Sequence, residues 1–152
     1  MSIICEIVTQ ERTLMSKEVD SINLQGSEGR MGILPNHSPM LTTLTFGEVI
    51  VRSGGQEEYI AVGGGFAEIQ PTKVIILADS AEYAEEIDIE AAERAMAQAK
   101  QAMEEGVHDD ADQWAQIEAS LRQAQLRAEV GRRRAGRRRA SDSMSSFGEG
   151  QS

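Results

Sequence analysis

The spacing of hydrophobic and polar residues changes near residue 85 and divides the chain into two parts. In the first part, apolar residues alternate with polar ones or form short runs, and both patterns are typical of β-strands. The runs cover residues 3–8, 19–24, 48–51, 59–62, 66–69 and 73–77. Ser53-Gly54-Gly55 separates two of them and predicts a hairpin turn. Many short strands with Gly and Pro between them predict an antiparallel β-sandwich over residues 1–84.

In the second part, apolar residues recur every three or four positions, which is the period of an amphipathic helix. One seam contains Ile89, Ala92, Met96, Ala99 and Met103, and the other contains Trp114, Ile117, Leu121, Ala124 and Ala128. Asp88 and either Asp110 or Asp112 are suitable N-caps, and Gly106 is a suitable end for the first helix. Residues 85–130 are therefore predicted to form an antiparallel α-helical hairpin, which makes the fold class α+β.

The two predicted seams are rich in alanine, which determines how firmly the helices hold each other. Alanine permits close approach but buries little area, so at roughly 25 cal/mol per Å² the contact is weak. Such a hairpin either opens as part of a function or remains a stable appendage, and the pattern leaves both open. Residues 131–152, with almost no apolar content and two arginine triplets, are predicted to form a disordered basic tail.

The composition is acidic, with 15 basic and 25 acidic side chains and a net charge of −10. The charge is −8 over residues 1–86, −6 over residues 87–130 and +4 over residues 131–152. Because affinity for nucleic acid depends on Lys and Arg, the chain as a whole is not expected to bind nucleic acid. A content of 40% apolar residues suffices for a core, and with 4% aromatic residues that core is aliphatic.

The sequence carries no signal of export. Cys5 is the single cysteine, so no internal disulfide forms, and no signal peptide, transit peptide or apolar run of membrane-spanning length is recognisable. We therefore expect a protein of the reducing cytoplasm without a transmembrane segment.

Few side chains are suited to catalysis. His37 and His108 lack a metal-ligand spacing, and Cys5 lies in an apolar strand pattern that favours a buried, inert thiol. Gly63-Gly64-Gly65 lies between two predicted strands without a following GK[ST], which favours a tight strand connection over a phosphate-binding loop. The sequence therefore predicts no catalytic residue, no metal site and no resident cofactor. Residues 26–42, rich in Gly and Pro, are predicted to be a loop between strands that forms either a rigid turn region or a shaped contact surface.

Four strings occur in a characteristic order: GSEGRMGILPNHSPML, LTFGEVIV, VGGGFAEIQPTKVIILAD and AEEID. Through them residues 1 to about 130 resemble the epsilon subunit of bacterial F-type ATP synthases, and the block G-x-x-G-x-x-P-x-H-x-P-x-L-T from Gly29 through Thr42 is the most specific part. The resemblance implies a non-catalytic subunit of the central rotor stalk at the cytoplasmic face of the bacterial inner membrane. The implied partners are the gamma subunit, the ring of c subunits and the catalytic alpha and beta subunits. The implied role is to couple proton flow to ATP synthesis and to restrain ATP hydrolysis through the C-terminal helices.

The resemblance also implies contact residues. The residues expected to face the c-ring are Glu28, Gly29, Arg30, Pro35, Asn36, His37 and Ser38. Arg30 stands where the family often has an acidic residue, so the polarity of this contact is an open point. Some members of the family bind ATP through an I/L-D-x-x-R-A motif, which here has alanine in place of arginine. The candidate ATP contacts are Asp88, Arg94 and Arg122, with Arg94 displaced about 4.5 Å along the helix axis from the position in the motif.

The basic residues near the C-terminus are candidate contacts with acidic loops of the beta subunit. They are Arg122, Arg127, Arg132, Arg133, Arg134, Arg137, Arg138 and Arg139. A solvated tail and a contact with anionic lipid head groups are the alternatives for this segment.

Two other functions are alternatives to a rotor subunit. The first is an acidic β-domain whose basic tail binds nucleic acid, which requires surface aromatic residues and basic strands. The aromatic residues available for it are Phe46, Tyr59, Phe66 and Tyr83, in an acidic domain. The second is a small hydrolase, which lacks a triad and a metal set.

Overall fold

The alternating residues of the N-terminal part form eight strands in a computed structural model, which describes residues 1–106 and 110–148, with side chains up to residue 135. The strands are β1 (Ile3–Val8), β2 (Thr13–Val19), β3 (Ser21–Gly26), β4 (Gly29–Ile33), β5 (Met40–Ser53), β6 (Gln56–Ile69), β7 (Lys73–Ala78) and β8 (Ala81–Tyr83). They belong to a first unit, Met1–Tyr83, and a second unit begins at Ala84.

The strands are joined in the order β2-β1-β7-β6-β5-β3-β4, and β8 pairs with β6. Neighbours are antiparallel except β1 and β7, which run parallel. The inward-facing residues of β1 to β7 form one aliphatic core, as expected for a β-sandwich. The core is made of Ile3, Cys5, Ile7, Met15, Val19, Ile22, Leu24, Ile33, Leu44, Val49, Val51, Ile60, Val62, Ala67, Ile69, Val74, Ile76 and Ala78.

The structure corrects two of the predictions made for residues 19–42. Residues 19–24 were predicted as one strand, but the chain turns at Asp20, so β2 ends there and β3 begins. Residues 26–42 were predicted as a loop, but residues 29–33 form β4, which pairs with β3 from Ile22↔Ile33 to Gly26↔Gly29. The alternation of Arg30, Met31 and Gly32 between exposed and half-buried positions is too weak a hydrophobic signal to identify this strand.

The hairpin between β5 and β6 is confirmed. Val49 pairs with Ile60, and the chain reverses at Gly54 and Gly55, whose φ angles are 58° and 78°. Two consecutive positive φ angles are typical of a type I′ turn, which matches the twist of the flanking strands. Asp20 Oδ2 accepts a hydrogen bond of 2.9 Å from the Gly54 amide and holds this turn.

The prediction that Gly63-Gly64-Gly65 connects two strands is wrong, because the three residues lie inside β6. Gly64 and Gly65 have φ angles of 94° and 125°, which non-glycine residues rarely adopt. At this point β6 changes its neighbour, since residues 60–62 pair with β8 and residues 65–69 pair with β7. The glycines therefore allow one long strand to bend, so that it pairs with β8 before the bend and with β7 after it.

The second unit begins with a short 3-10 turn, Ala84–Glu86, followed by helices α1 (Ile89–Glu105) and α2 (Ala111–Gly148). Both predicted caps are present: Asp88 Oδ1 accepts from the Ala91 amide at 3.0 Å, and Asp110 Oδ1 accepts from the Asp112 amide at 2.9 Å. Gly106 follows the end of α1, as predicted. The two helices pack against each other, and their seam alanines are buried.

Helix α2 runs past residue 131, where the basic tail was predicted to begin, to Gly148, and disorder of this tail stays a prediction. Gly131 is buried three positions after Ala128 and so extends the apolar seam of α2. Arginine is also a good helix former, so the arginine triplets do not oppose the helix.

Candidate interaction surfaces

The residues predicted to face the c-ring lie in two segments that flank the beginning of β5. Ser27 and Glu28 form the turn between β3 and β4, and the Ser27 amide donates to the Thr43 carbonyl at 2.9 Å. Gly29, at the start of β4, has a φ of 125°, and Arg30 is exposed on the same strand. The structure therefore places Glu28, Gly29 and Arg30 at the tip of a hairpin.

The second segment, between β4 and β5, contains Pro35, Asn36, His37 and Ser38. Asn36 adopts a φ of 68°, and its amide donates to the Pro71 carbonyl at 2.8 Å, which ties this loop to the turn between β6 and β7. His37 Nδ1 lies 2.7 Å from the Ser38 carbonyl oxygen, so the half-buried imidazole is held by its own loop. The loop is thus shaped by backbone contacts, and whether it contacts a c-ring stays a prediction.

The outer surface of the sheet carries an apolar face that the sequence patterns did not reveal. Thr43 pairs with Phe66, Phe66 with Leu77, and Leu77 with Val8, so one row of side chains crosses four strands on the outside. Phe66 is 53% exposed and Leu77 is 55% exposed, whereas their strand neighbours Ala67 and Ile76 are fully buried. We call this surface the outer apolar face, and it consists of Ile4, Val8, Leu41, Phe66, Ile75 and Leu77.

Cys5 is fully buried in the sandwich core, as predicted. Burial raises the pKa of its thiol from 9.0 to about 12, with smaller opposing effects of Lys17 and of Glu58 and Glu6. A neutral, inaccessible thiol is neither a nucleophile nor a metal ligand. Cys5 therefore belongs to the core and to no site.

The raised pKa of Cys5 predicts a loss of stability at alkaline pH. The unfolded chain ionises this thiol near pH 9 and the folded chain near pH 12, so the stabilisation is complete below pH 9 and falls as pH rises toward 12. We expect a loss of about 1–2 kcal/mol between pH 8.5 and 10.5 in urea unfolding. Because Cys5→Ala removes this contribution, an equally steep loss in that variant would contradict the prediction.

The three candidate ATP contacts lie at different heights of the helix pair. Asp88 caps α1, and Gly131 of α2 lies beside Ile87 and Ile89 at the same end. Because the helices are antiparallel, Arg122 lies about nine residues, or roughly 14 Å, farther along the pair from this end. Arg94 lies between these heights. The ATP contact stays a prediction.

Two of the candidate beta-subunit contacts form ion pairs within the second unit. Arg132 contacts Glu93 of α1 at 2.9 Å, and Arg133 contacts Glu129 of α2 at 3.0 Å. Arg122 is exposed and Arg127 is half-buried on α2, while Arg134 is half-buried on the same helix. The side chains of Arg137, Arg138 and Arg139 lie outside the described residues, as does His108.

Two further predictions concern absences. Among residues 1–106 and 110–135, no group of three or more His, Cys, Asp or Glu side chains is arranged to hold a metal ion. In the part of the chain that the structure describes, no helix combines the length and apolar character needed to cross a membrane.

Comparison with known families assigns the first unit. Residues 2–84 match the family described as the beta-sandwich domain of the ATP synthase Delta/Epsilon chain. The fold and this match together define a member of the Delta/Epsilon class, with a β-sandwich followed by two helices.

Comparison with individual proteins makes the assignment more specific. The ATP synthase epsilon chain of Herpetosiphon aurantiacus is 45% identical over 132 residues, which cover 87% of this chain and 96% of that protein. The ATP synthase epsilon chain of Dehalococcoides mccartyi strain BAV1 is 44% identical over 134 residues, which cover 84% and 91%. The chain belongs to the family of ATP synthase epsilon chains, which are non-catalytic subunits, and the nucleic-acid alternative is not favoured.

Solved structures of ATP synthases agree with this family. A chain in the Euglena gracilis mitochondrial ATP synthase, solved as OSCP/F1/c-ring, is 26% identical, with a TM-score of 0.70 over 82% of this chain and 78% of that one. A chain in the central stalk and c-ring of the Tetrahymena thermophila enzyme has a TM-score of 0.59 over 86% and 97%, and at 11% identity it shows the shared fold alone.

Proposed function

We propose that this chain is a rotor component of the central stalk of a bacterial F-type ATP synthase, where it couples proton flow to ATP synthesis and restrains ATP hydrolysis. Membership of the epsilon family supports the first part of the proposal. The restraint is assigned to the C-terminal helices, and the observation that carries it is that the buried residues of the predicted seams between α1 and α2 are all alanines. The buried seam residues are Ala92, Ala99, Ala124 and Ala128.

An alanine seam gives little hydrophobic stabilisation, because each methyl group removes little apolar area from water. The larger seam residues Met96, Trp114, Ile117 and Leu121 are only half-buried. A helix pair of this kind can separate at moderate cost and present its apolar surface to another protein. We infer that the separated helices contact the alpha and beta subunits of the catalytic head.

The partners of the sandwich follow from its two surfaces. We infer that the outer apolar face docks on the gamma subunit, since an exposed Phe–Leu pair on a rigid sheet is suited to a permanent interface. The loops at Glu28 to Arg30 and Pro35 to Ser38 are assigned to the c-ring. The protein then lies at the cytoplasmic face of the bacterial inner membrane, held there by other subunits.

The proposal is tested with the reconstituted complex. Ending the chain at Glu86 removes both helices and leaves the sandwich, and we expect the rate of ATP hydrolysis to rise about fivefold or more, as for a coupling energy above 1 kcal/mol. ATP synthesis that remains coupled in this variant would agree with docking through the sandwich alone. An unchanged rate of hydrolysis would contradict the restraint.

The arginine triplets contribute to this restraint through charge. Changing Arg137, Arg138 and Arg139 to Gln leaves helix propensity almost unaltered but removes three positive charges. We expect hydrolysis at low salt to rise by about two- to fivefold and the salt dependence of inhibition to decrease. Unchanged hydrolysis combined with weaker binding to anionic vesicles would favour the lipid alternative instead.

A further inference from the structure

The packing within the second unit is concentrated at one end of the helix pair. Its buried apolar residues are Ala84, Ile87, Ala92, Ala99, Ala124, Leu126, Ala128 and Val130. Among residues 100–106 and 110–123 none is buried, although this half contains the larger seam residues. The contacts near residues 87–93 and 128–132 are therefore expected to contribute most of the packing that holds the two helices together.

Gly131 allows the closest of these contacts. A Cβ atom at this position would stand 2.8 Å from Ile89 Cγ1 and 3.2 Å from Ile87 Cγ2, below the ordinary van der Waals distance. The absence of a side chain lets the backbone of α2 lie directly on two isoleucines at the start of α1. Glycine in a helix interior is unfavourable relative to alanine, so the close packing at Gly131 must compensate for that cost.

One ion pair spans the two helices beside this glycine. Arg132 donates from Nε to Glu93 Oε1 at 2.9 Å, and its Nη2 atom lies at the same distance from that oxygen. The two residues are 39 positions apart, so the pair exists only when the helices are closed. Both side chains are about half exposed, which makes the pair sensitive to ionic strength.

We propose that Gly131 on Ile87 and Ile89, together with the Glu93–Arg132 pair, forms a latch that sets how readily the helix pair opens. The latch regulates the restraint described above and therefore rests on the proposed function. In the closed pair Arg132 is engaged with Glu93, so it reaches a beta subunit only after the latch separates. Arg132 then pairs with Glu93 when the helices are closed and with an acidic residue of the beta subunit when they are open.

The test of the ion pair uses the full-length chain and hydrogen exchange of the α1 and α2 amides, with the sandwich amides as an internal reference. Glu93→Arg and Arg132→Glu each place like charges across the latch, and we expect exchange in both helices to quicken about two- to tenfold. The double variant restores an ion pair in reverse and is expected to return exchange to within twofold of wild type. Failure of the swap to rescue would overturn the ion-pair part of the latch.

A matched control separates this pair from ion pairs in general. Glu129→Gln removes the Arg133–Glu129 pair, which lies within α2 and spans no helices. We expect no change in exchange of α1. An effect equal to that of Glu93→Arg would mean that the loss of any charge pair loosens the helices, which would overturn the proposal.

The glycine is tested with Gly131→Leu and Gly131→Ala. Leucine must displace both isoleucines, and we expect exchange to quicken about tenfold or more while the sandwich amides stay unchanged. Alanine improves helix propensity but meets Ile89, so the same direction with a smaller effect is expected. Slower exchange in Gly131→Ala would show that close approach is not required and would overturn this part of the latch.

Hydrolysis by the reconstituted complex then separates the latch from the restraint. Glu93→Arg is expected to lower hydrolysis, because the pair opens more often. Faster exchange without lower hydrolysis would contradict the proposed restraint while leaving the latch in place. Unchanged exchange, together with the expected gain in hydrolysis on removal of the helices, would overturn the latch alone.

Discussion

Replacing Gly65 with alanine is expected to lower the free energy of unfolding of the sandwich by about 3–5 kcal/mol. The backbone at Gly65 has a φ of 125°, which strains any residue with a side chain. A Cβ atom there would also stand 2.1 Å from the Leu77 carbonyl oxygen and 2.9 Å from the Ala78 Cα. Both obstacles are backbone atoms of the neighbouring strand, so no rotamer change can relieve the clash.

The expected consequence is separation of β6 from β7 at the point where they begin to pair. Gly65 pairs with Ala78 at the end of β7, and residues 73–77 of β7 pair on their other side with β1. Domains of this size have total stabilities of about 5–15 kcal/mol, so the change removes a large share. Urea unfolding followed by far-UV circular dichroism measures the shift in midpoint.

Gly54 provides the matched control, because its φ is also positive but a Cβ atom there meets no atom within 4 Å. Gly54→Asn places a residue that tolerates this conformation in a type I′ turn followed by glycine. We expect a change within about 0.5 kcal/mol of wild type. A loss in Gly65→Ala no larger than that in Gly54→Asn would contradict the role assigned to the bend in β6.

The contrast between these glycines explains what could be predicted in the sandwich. Gly54-Gly55 stands between two polar residues and two alternating strands, and short-range rules identify such a turn. Gly63-Gly64-Gly65 has a similar local composition, yet it bends a continuous strand. The difference depends on β7 and β8, which pair with β6 on either side of the bend. Long-range pairing of this kind leaves no local signal in a single sequence.

The helices show a comparable limit. The seam spacing located α1 and α2 correctly, and Asp88 and Asp110 were identified as caps because their side chains suit the first turn. Composition predicts a disordered tail from residue 131, and the buried Gly131 shows that the apolar seam of α2 extends at least to this residue. The role of Gly131 depends on Ile87 and Ile89, which lie more than 40 residues earlier and are adjacent only in the folded pair.

The outer apolar face was missed for a different reason. The run from Val74 to Leu77 is continuously apolar, and such runs are typical of strands covered on both faces. In the structure Val74 and Ile76 are buried, while Leu77 is exposed beside Phe66. Residues on both faces of this strand are apolar, and the sequence shows this. Contact of the outward face with a partner protein is the alternative to its burial within the domain.

That explanation predicts the second large effect. Changing both Phe66 and Leu77 to glutamate is expected to weaken binding of the chain to the gamma subunit by about 100- to 1,000-fold, since buried aromatic and aliphatic anchors contribute about 2 kcal/mol or more each. The two side chains are adjacent across β6 and β7 and more than half exposed, so they are available to a partner. Burying two carboxylates in the interface would add a desolvation cost.

The variant should keep its fold, because exposed positions tolerate substitution and the core residues Ala67 and Ile76 point the other way. Titration of the labelled chain into gamma-containing complex lacking epsilon gives the dissociation constant, and urea unfolding checks the fold.

Two controls accompany the double glutamate variant. Phe66→Leu with Leu77→Met keeps the surface apolar and is expected to bind within about threefold. Gln56→Glu adds a negative charge at the exposed start of β6, ten residues along the strand from Phe66, and this variant is also expected to bind as wild type does. Wild-type affinity in the double glutamate variant would exclude the outer apolar face as the docking surface and leave its exposed Phe–Leu pair without a function.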